Sequence, residues 1–156
     1  MKKYALSLLT LIAVNAHARP NCGANTNVYE IITCDITSSA TYEAGYTEVY
    51  STAYVNFISH HAAVVPEKFK LNALAGNLEG QIRMSPRGDT MTFSVNQALQ
   101  DAPQTVTVPV QFPDNCTGVE VPAFSLTSRY DAAIGNTASP RDLNVSCTAK
   151  SMPDKD

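Results

Sequence analysis

Apolar and polar side chains alternate with a period of two along several short segments of this chain, and turn-forming residues separate the segments. Alternation of this kind places the apolar side chains on one face of a strand. Met91, Phe93 and Val95 show it most clearly. It recurs in segments whose apolar positions are Val28, Ile32, Cys34 and Ile36; Phe69, Leu71 and Ala73; Leu78, Ile82 and Met84; Val106, Val108, Val110 and Phe112; and Leu143, Val145 and Cys147. The pattern predicts an all-β domain, an antiparallel meander that forms a small barrel or a sandwich.

One segment, residues 41–59, fits two kinds of secondary structure. Its apolar residues follow a helical stripe and are Tyr42, Tyr46, Val49, Tyr50, Ala53, Tyr54, Phe57 and Ile58. Its composition opposes a helix, because tyrosine, threonine, valine and serine are mediocre helix formers and the first three favour strands. We therefore predict one or two strands here. The alternative is an α+β fold with a helix at about 41–59.

Glycine and proline mark the predicted turns and edges. Ala75-Gly76-Asn77 is typical of a hairpin turn, and Ser85–Thr90 and Asp131–Arg141 are typical of loops. Pro109 interrupts an otherwise regular strand pattern. Because proline cannot donate a hydrogen bond to a neighbouring strand, this strand is predicted to lie at a sheet edge or to carry a bulge.

The first eighteen residues are typical of a secretory signal peptide. Lys2 and Lys3 precede an apolar run from residue 5 to residue 14, and Ala16-His17-Ala18 fits a cleavage site. The apolar run is too short to span a bilayer. We therefore expect a periplasmic or secreted protein that is not an integral membrane protein.

Removal of residues 1–18 would leave a single β-rich domain at 19–150 and a polar, disordered tail at 151–156. That chain would carry nine Lys and Arg against fourteen Asp and Glu, a net charge of −5. Because nucleic acids and anionic membranes attract clustered basic residues, neither is the expected partner. The partner is expected to be a protein or a small-molecule ligand.

Cys22, Cys34, Cys116 and Cys147 form an even set in a chain predicted to be exported, which predicts two disulfides. Four cysteines allow three connectivities. We favour Cys22 with Cys34 and Cys116 with Cys147, because these partners are neighbours in sequence. The spacings match neither zinc sites nor redox pairs, so no metal site is predicted.

Catalytic signatures are weak, and we predict neither catalytic residues nor a cofactor. His60 and His61 are adjacent, so on a strand they would point to opposite faces. Serines are plentiful, but no Gly-x-Ser-x-Gly elbow and no phosphate-binding glycine loop occurs. A solvated histidine pair is the simpler interpretation.

Two features are candidate recognition surfaces. Tyr42, Tyr46, Tyr50 and Tyr54 would share one stripe, and tyrosine combines apolar area with a hydroxyl group, as binding faces require. The same stripe could instead be the partly exposed side of a core. Arg87-Gly88-Asp89 lies in the predicted loop at Ser85–Thr90, where it could be displayed or could simply form the turn.

Together these features predict an exported, non-enzymatic binding domain whose ligand is unknown. Its size, its disulfides and the loop at Ser85–Thr90 would also suit a proteinaceous inhibitor of a hydrolase. A small hydrolase is the weaker alternative, and it would require His60 or His61 within hydrogen-bond reach of a serine or a carboxylate.

Overall fold

A computed structural model describes residues 28–42, 44–73, 76–96, 103–113, 116–134 and 137–154. The predicted leader and Cys22 lie outside the described residues. Over the described ranges the chain forms strands and one short helix. The elements are β1 (Val28–Thr41), β2 (Thr47–Ile58), α1 (Ser59–Val64), β3 (Glu67–Ala73), β4 (Gly76–Met84), β5 (Thr90–Val95), β6 (Gln104–Pro109), β7 (Val121–Ile134) and β8 (Thr137–Pro153).

The strands form two antiparallel, four-stranded sheets. The first sheet has the strand order β2-β1-β8-β7, and the second is a meander in the order β3-β4-β5-β6. In the first sheet the two ends of the described chain meet, because β1 and β8 pair from Val28 with Pro153 to Ser39 with Asp142. The all-β prediction is confirmed, and of the two predicted shapes the structure adopts the sandwich.

One hydrophobic core lies between the two sheets. Its most deeply buried side chains include Ile32, Ile36, Leu143 and Val145 from the first sheet and Leu71, Ile82, Met84 and Met91 from the second. Phe93 of β5 and Phe124 of β7 meet across the core with ring centroids 5.5 Å apart. Strand β5 alternates buried and half-buried residues along its whole length, as the sequence pattern predicts.

The described residues between 41 and 58 form the end of β1, a turn and β2, so the strand prediction is confirmed and the helical alternative is wrong. The only helix among the described residues is α1, which begins at Ser59, where β2 ends. The turn lies at Tyr42–Tyr46, and Gly45 adopts a φ of 82° there. The helical period was misleading because a turn and a bulge divide this segment, which shifts the side-chain alternation along it.

The favoured disulfide connectivity is wrong. Cys34 is bonded to Cys147, which excludes both predicted pairs. The two residues face each other across β1 and β8 with their Cα atoms 4.1 Å apart. Cys116 is also disulfide-bonded, to a partner outside the described residues. Sequence proximity failed as a guide because the sheet brings together strands from opposite ends of the chain.

Two regions that the sequence predicts to be irregular are strands. Most of the predicted loop at Asp131–Arg141 belongs to the β7–β8 hairpin, where Asp131 pairs with Pro140. Proline is tolerated there because β8 pairs with β1 only from Asp142 onward, so one side of β8 is free at Pro140. The predicted tail is also wrong over Ser151–Pro153, which pairs with the start of β1. Residues 155–156 lie outside the described part of the chain.

Two prolines lie on edge strands, and for Pro109 this confirms the prediction. Pro109 ends β6, an edge strand of the second sheet. Pro122 lies in β7, an edge strand of the first sheet, next to a shift in strand register. The hairpin between β3 and β4 is also confirmed, although Gly76 belongs to β4, where it pairs with Ala73, rather than to the turn.

Candidate functional site

Three of the four tyrosines of the predicted stripe lie together at the end of the β1–β2 hairpin. The backbone closes the turn itself: the Gly45 N–H donates to the Tyr42 carbonyl at 2.8 Å, and the Tyr42 N–H donates to the Tyr46 carbonyl at 3.0 Å. The Tyr42 and Tyr46 rings stack with centroids 4.7 Å apart and planes 17° apart. Tyr46 is 58% exposed, so the turn presents an aromatic surface to solvent.

A β-bulge places Tyr50 beside this pair. Ser38 is opposite Ser51 and Ser39 is opposite Val49, so Tyr50 is the extra residue in β2. A bulge redirects a side chain and increases the local twist. The hydroxyl group of Tyr50 consequently reaches both Tyr42 and Glu48.

Tyr42, Tyr50 and Glu48 form a hydrogen-bonded triangle. The Tyr50 hydroxyl donates to Glu48 Oε2 at 2.9 Å, the Tyr42 hydroxyl lies 3.1 Å from the same oxygen, and the two hydroxyl groups contact each other. Each hydroxyl carries one proton, so at most two of the three contacts are hydrogen bonds at one time. The contact with Tyr42, followed by that with Glu48, raises the pKa of Tyr50 well above its usual range.

Arg141 of β8 completes the arrangement. Its guanidinium group lies 4.2 Å from the centroid of the Tyr50 ring, a cation–π contact. Arg141 Nη1 donates to Ser139 Oγ at 2.8 Å and to the Pro140 carbonyl at 3.1 Å, which orients the group. We call the set Tyr42, Tyr46, Glu48, Tyr50 and Arg141 the tyrosine site.

A depression of about 260 Å³ adjoins the tyrosine site. Its lining includes Tyr42 and Arg141 of the tyrosine site together with Arg129 and Asp142. The region therefore combines exposed aromatic faces with two guanidinium groups and two carboxylates. Tyrosine and arginine are the side chains that recognition surfaces favour, because each offers a large contact area together with directional hydrogen bonds.

Tyr54 does not belong to this arrangement. It lies between the core-facing residues Ala53 and Val55 on β2, so its side chain projects from the opposite, outer face of the first sheet. Tyr54 is 66% exposed and is opposite Asp35 of β1. The predicted stripe of four tyrosines is thus divided between two surfaces.

The loop with Arg87-Gly88-Asp89 is a tight, self-bonded turn. The Gly88 N–H donates to the Ser85 carbonyl at 2.9 Å, and Gly88 has a φ of 71°. Ser85 Oγ accepts from the backbone N–H groups of Asp89 and Thr90 and donates to Asp89 Oδ1 at 2.6 Å. This last bond is the largest cause that lowers the pKa of Asp89. Arg87 and Asp89 are exposed, but the Asp89 carboxylate is engaged within its own turn.

His60 and His61 lie on α1 rather than on a strand. Both are exposed, and their rings meet edge to face with centroids 4.4 Å apart. Within the described residues, neither imidazole forms a hydrogen bond with a serine or a carboxylate. The same part of the chain contains no group of three or more histidine, cysteine, aspartate or glutamate residues arranged to hold a metal ion.

A buried carboxylate is the feature that sequence reasoning missed. Glu30 is 1% exposed, and Ser59 Oγ donates to its Oε2 at 2.6 Å. Its one sequence signal is its position, because Glu30 shares the parity of the apolar residues of β1. The group is closed to solvent, so we assign it a structural part in joining β1 to α1.

A further depression, of about 480 Å³, lies on the second sheet. Polar side chains dominate its lining, and two of them, Lys70 and Glu79, are cross-strand neighbours that form an ion pair at 3.1 Å. Both of these side chains are at least half exposed. Exposed pairs of this kind contribute little energy, and the described residues at this depression provide no aromatic surface or oriented group comparable to the tyrosine site.

Compared with known protein families, with curated proteins and with solved structures, the chain has no match. In the described part of the chain, no helix reaches the length and apolar character that crossing a bilayer requires.

Proposed function

We propose that this protein is a small, exported, non-enzymatic domain that binds a partner protein through the tyrosine site. The observation that carries the proposal is the exposed, stacked pair of Tyr42 and Tyr46 beside the oriented guanidinium group of Arg141. Tyrosine loses little conformational entropy on binding, and here the rings and the guanidinium group are already positioned. Binding of a partner therefore requires little further ordering of these side chains.

A peptide library supplies a probe for this proposal. Peptides displayed on phage are selected against the immobilised wild-type protein, and the binding of each recovered peptide is then measured by fluorescence anisotropy. We expect Tyr46→Ser to weaken binding at least about tenfold, since a central aromatic anchor typically carries much of the energy. Tyr54→Ser is the matched control, because it removes a similarly exposed tyrosine from the other face of the sheet.

The proposal is refuted if the selected peptides bind Tyr46→Ser as tightly as the wild type, or if both variants weaken binding equally. Circular dichroism and thermal unfolding of each variant separate a loss of binding from a loss of fold. Tyr46 makes no side-chain hydrogen bond among the described residues, so its replacement should leave the melting temperature almost unchanged.

Export belongs to the same proposal and has its own test. A disulfide between Cys34 and Cys147 is compatible with an oxidising compartment. We expect mass spectrometry of the mature protein to find a chain that begins after Ala18 and contains no free thiol. Detection of the intact amino terminus in the secreted fraction would refute the predicted cleavage.

One observation favours a second function, inhibition of a protease. The Ser85–Thr90 turn is fixed by its own hydrogen bonds and presents Arg87, and a rigid exposed loop is the form in which a substrate-like inhibitor binds. A serine protease that cleaves after arginine tests it. Inhibition of trypsin by the wild type and its loss in Arg87→Ala would support this function, and absence of inhibition by the wild type would exclude it for this protease class.

A hydrolase is the least supported alternative. The exposed histidines on α1 lack a serine or carboxylate partner among the described residues, whereas a catalytic base requires an oriented partner. No observation at the tyrosine site or at the Ser85–Thr90 turn favours catalysis over binding.

A further inference from the structure

The four edge strands of the sandwich differ in how they are protected from pairing with other chains. Edge strands usually carry charges, prolines or bulges, or are kept short. Strand β3 carries Lys68 and Lys70, β6 is six residues long and ends in Pro109, and β7 carries Pro122 at an irregularity. Strand β2 has a bulge and a charge only near its start. Its segment Ser51–Ile58 contains no charged residue and no proline.

The backbone of this segment presents free hydrogen-bonding groups. The Cα atoms of Cys34 and Cys147 are 4.1 Å apart, which identifies a non-hydrogen-bonded pair between β1 and β8. The N–H and C=O groups of Cys34 therefore point toward β2, where Val55 is the partner residue. Since these groups alternate in direction along a strand, those of Thr52, Tyr54 and Asn56 point away from β1. No strand in the described residues pairs with that side of β2.

We propose that a second copy of this chain pairs with β2 through the segment Ser51–Ile58, antiparallel and on a two-fold axis at Tyr54. In this register Tyr54 is opposite Tyr54 of the second copy, and Thr52 is opposite its Asn56. The backbone N–H and C=O groups of these three residues point away from β1, so each pair can exchange hydrogen bonds across the interface. The outer faces of the two first sheets coincide, and the result is one continuous eight-stranded sheet.

The composition of the segment favours a second copy over an unrelated chain. The segment is uncharged, so pairing with itself brings no like charges together, whereas β3 would place lysines opposite lysines. The two-fold axis also sets the exposed Tyr54 rings beside each other, and aromatic cross-strand pairs are stabilising. A self-complementary patch is what a two-fold interface requires.

This interface contains no residue of the tyrosine site. The proposal of a dimer therefore does not depend on the proposed function of that site. The dimer would nevertheless affect how that site is presented. Tyr50 and its counterpart would be eight residues apart in register, about 26 Å along the strands. The dimer would therefore carry two tyrosine sites on one sheet and could bind a repetitive partner bivalently.

Cysteine cross-linking tests both the contact and its register. Directly opposite residues in the proposed pair have Cα atoms about 5.5 Å apart, within the range of a disulfide. We expect Tyr54→Cys to form a covalent dimer in a glutathione redox buffer, as seen on non-reducing gels. Thr52→Cys alone should not, because the two copies of residue 52 would be about 13 Å apart. A mixture of Thr52→Cys and Asn56→Cys should form the mixed dimer.

Equal cross-linking by Thr52→Cys and Tyr54→Cys would indicate random collision and would overturn the proposal, as would the absence of a dimer with Tyr54→Cys. Tyr46→Ser added to Tyr54→Cys should leave cross-linking unchanged, which separates this interface from the tyrosine site.

Sedimentation velocity of the otherwise wild-type protein gives a second measurement. We expect a concentration-dependent dimer, and Tyr54→Lys should raise its dissociation constant at least about tenfold by placing two ammonium groups together. Ser146→Lys is the matched control, because Ser146 is exposed on the same face but lies on β8, which is paired on both sides. A wild type that stays monomeric into the millimolar range overturns the proposal.

Discussion

The Ser85–Thr90 turn and the tyrosine site both lie at hairpin ends, but different interactions hold them. Ser85 alone supplies three side-chain hydrogen bonds to the residues that follow it, and Gly88 supplies the positive φ. The tyrosine site has a closed backbone turn, yet its polar groups are arranged by a bulge and by Arg141, which comes from β8 near the other end of the chain.

This contrast has a physical consequence. A turn whose bonds join near neighbours can form wherever the local chain bends, and it responds mainly to changes in its own residues. A site assembled from β1, β2 and β8 exists only when those strands are in register. Perturbation of the strands behind the tyrosine site should therefore disturb that site more than the turn.

The largest effect should follow removal of the covalent link between β1 and β8. Replacement of Cys34 and Cys147 together by alanine should lower the free energy of unfolding by about 2–5 kcal/mol, because the bond joins residues 113 positions apart and restricts the unfolded chain. Urea unfolding monitored by circular dichroism measures the change. Hydrogen exchange should show a greater loss of protection at the amides of Tyr42 and Gly45, which close the turn of the tyrosine site, than at the amide of Gly88. A greater loss of protection at Gly88 would contradict the proposed difference between the tyrosine site and the Ser85–Thr90 turn.

The next effect concerns a buried bond between β1 and β7, behind the tyrosine site. Ser38 Oγ and the Tyr130 hydroxyl are hydrogen-bonded at 2.5 Å, and both residues are buried. Tyr130→Phe should lower the free energy of unfolding by about 1–2 kcal/mol, because it leaves the serine hydroxyl buried without that partner.

A double-mutant cycle with Ser38→Ala serves as the control for this bond. The double variant should cost less than the sum of the single variants if the hydroxyl groups stabilise each other. Strict additivity would show that the contact contributes nothing.

A smaller effect is expected at the local turn. Ser85→Ala removes an acceptor from the backbone N–H groups of Asp89 and Thr90 and should lower the free energy of unfolding by about 1 kcal/mol. It should also raise the pKa of Asp89 toward its ordinary value, measurable by NMR titration of the carboxylate. Ser94→Ala is the control, because that hydroxyl makes only a long exposed contact with Thr105 on the same sheet.

The sign of the pH dependence follows from the direction of the Asp89 shift. The pKa of Asp89 is lower in the folded protein than its ordinary value of 3.8, so its contribution to stability is present above pH 3.8 and is lost as the pH falls through the folded value. Ser85→Ala should reduce this contribution, because the Ser85 hydrogen bond is its largest cause. A wild-type acid dependence that persists unchanged in the variant would contradict the assignment.

The smallest effect at neutral pH should come from Tyr42→Phe. It removes the hydroxyl group that contributes most to the raised pKa of Tyr50, so that pKa should fall toward 10.0 in an ultraviolet titration of tyrosinate. Because the folded pKa is raised, the associated stability is present below pH 10.0 and is lost as the pH rises further. Tyr54→Phe is the control. An unchanged titration of Tyr50 would show that the triangle does not form.

Prediction from sequence succeeded where side-chain alternation and local turn chemistry decide the structure. Met91, Phe93 and Val95 are buried as their spacing indicates, and Pro109 lies on an edge strand. It failed at Ser151–Pro153, where a polar segment becomes a strand because the start of β1 is available to pair with it. Nothing in the sequence near residue 151 indicates that the start of β1 is available for pairing.

The candidate site shows the same division. Composition identified the tyrosines, but a helical period grouped all four of them. The bulge at Tyr50 and the turn at Gly45 bring Tyr42, Tyr46 and Tyr50 together and leave Tyr54 on the other face. Nothing in the sequence near residue 50 indicates that Arg141 covers the ring of Tyr50, because that contact depends on the order of strands in the sheet.

The amino-acid sequence by itself determined that this chain is built from strands, where most of its strands lie and that a turn lies at Ser85–Thr90, because these features depend on residues within a few positions of one another. Only the tertiary structure decided that Cys34 bonds with Cys147, that Arg141 meets Tyr50 and that β2 lies at the edge of its sheet. Those outcomes depend on which strands become neighbours, and strand neighbours are selected by the packing of the whole core.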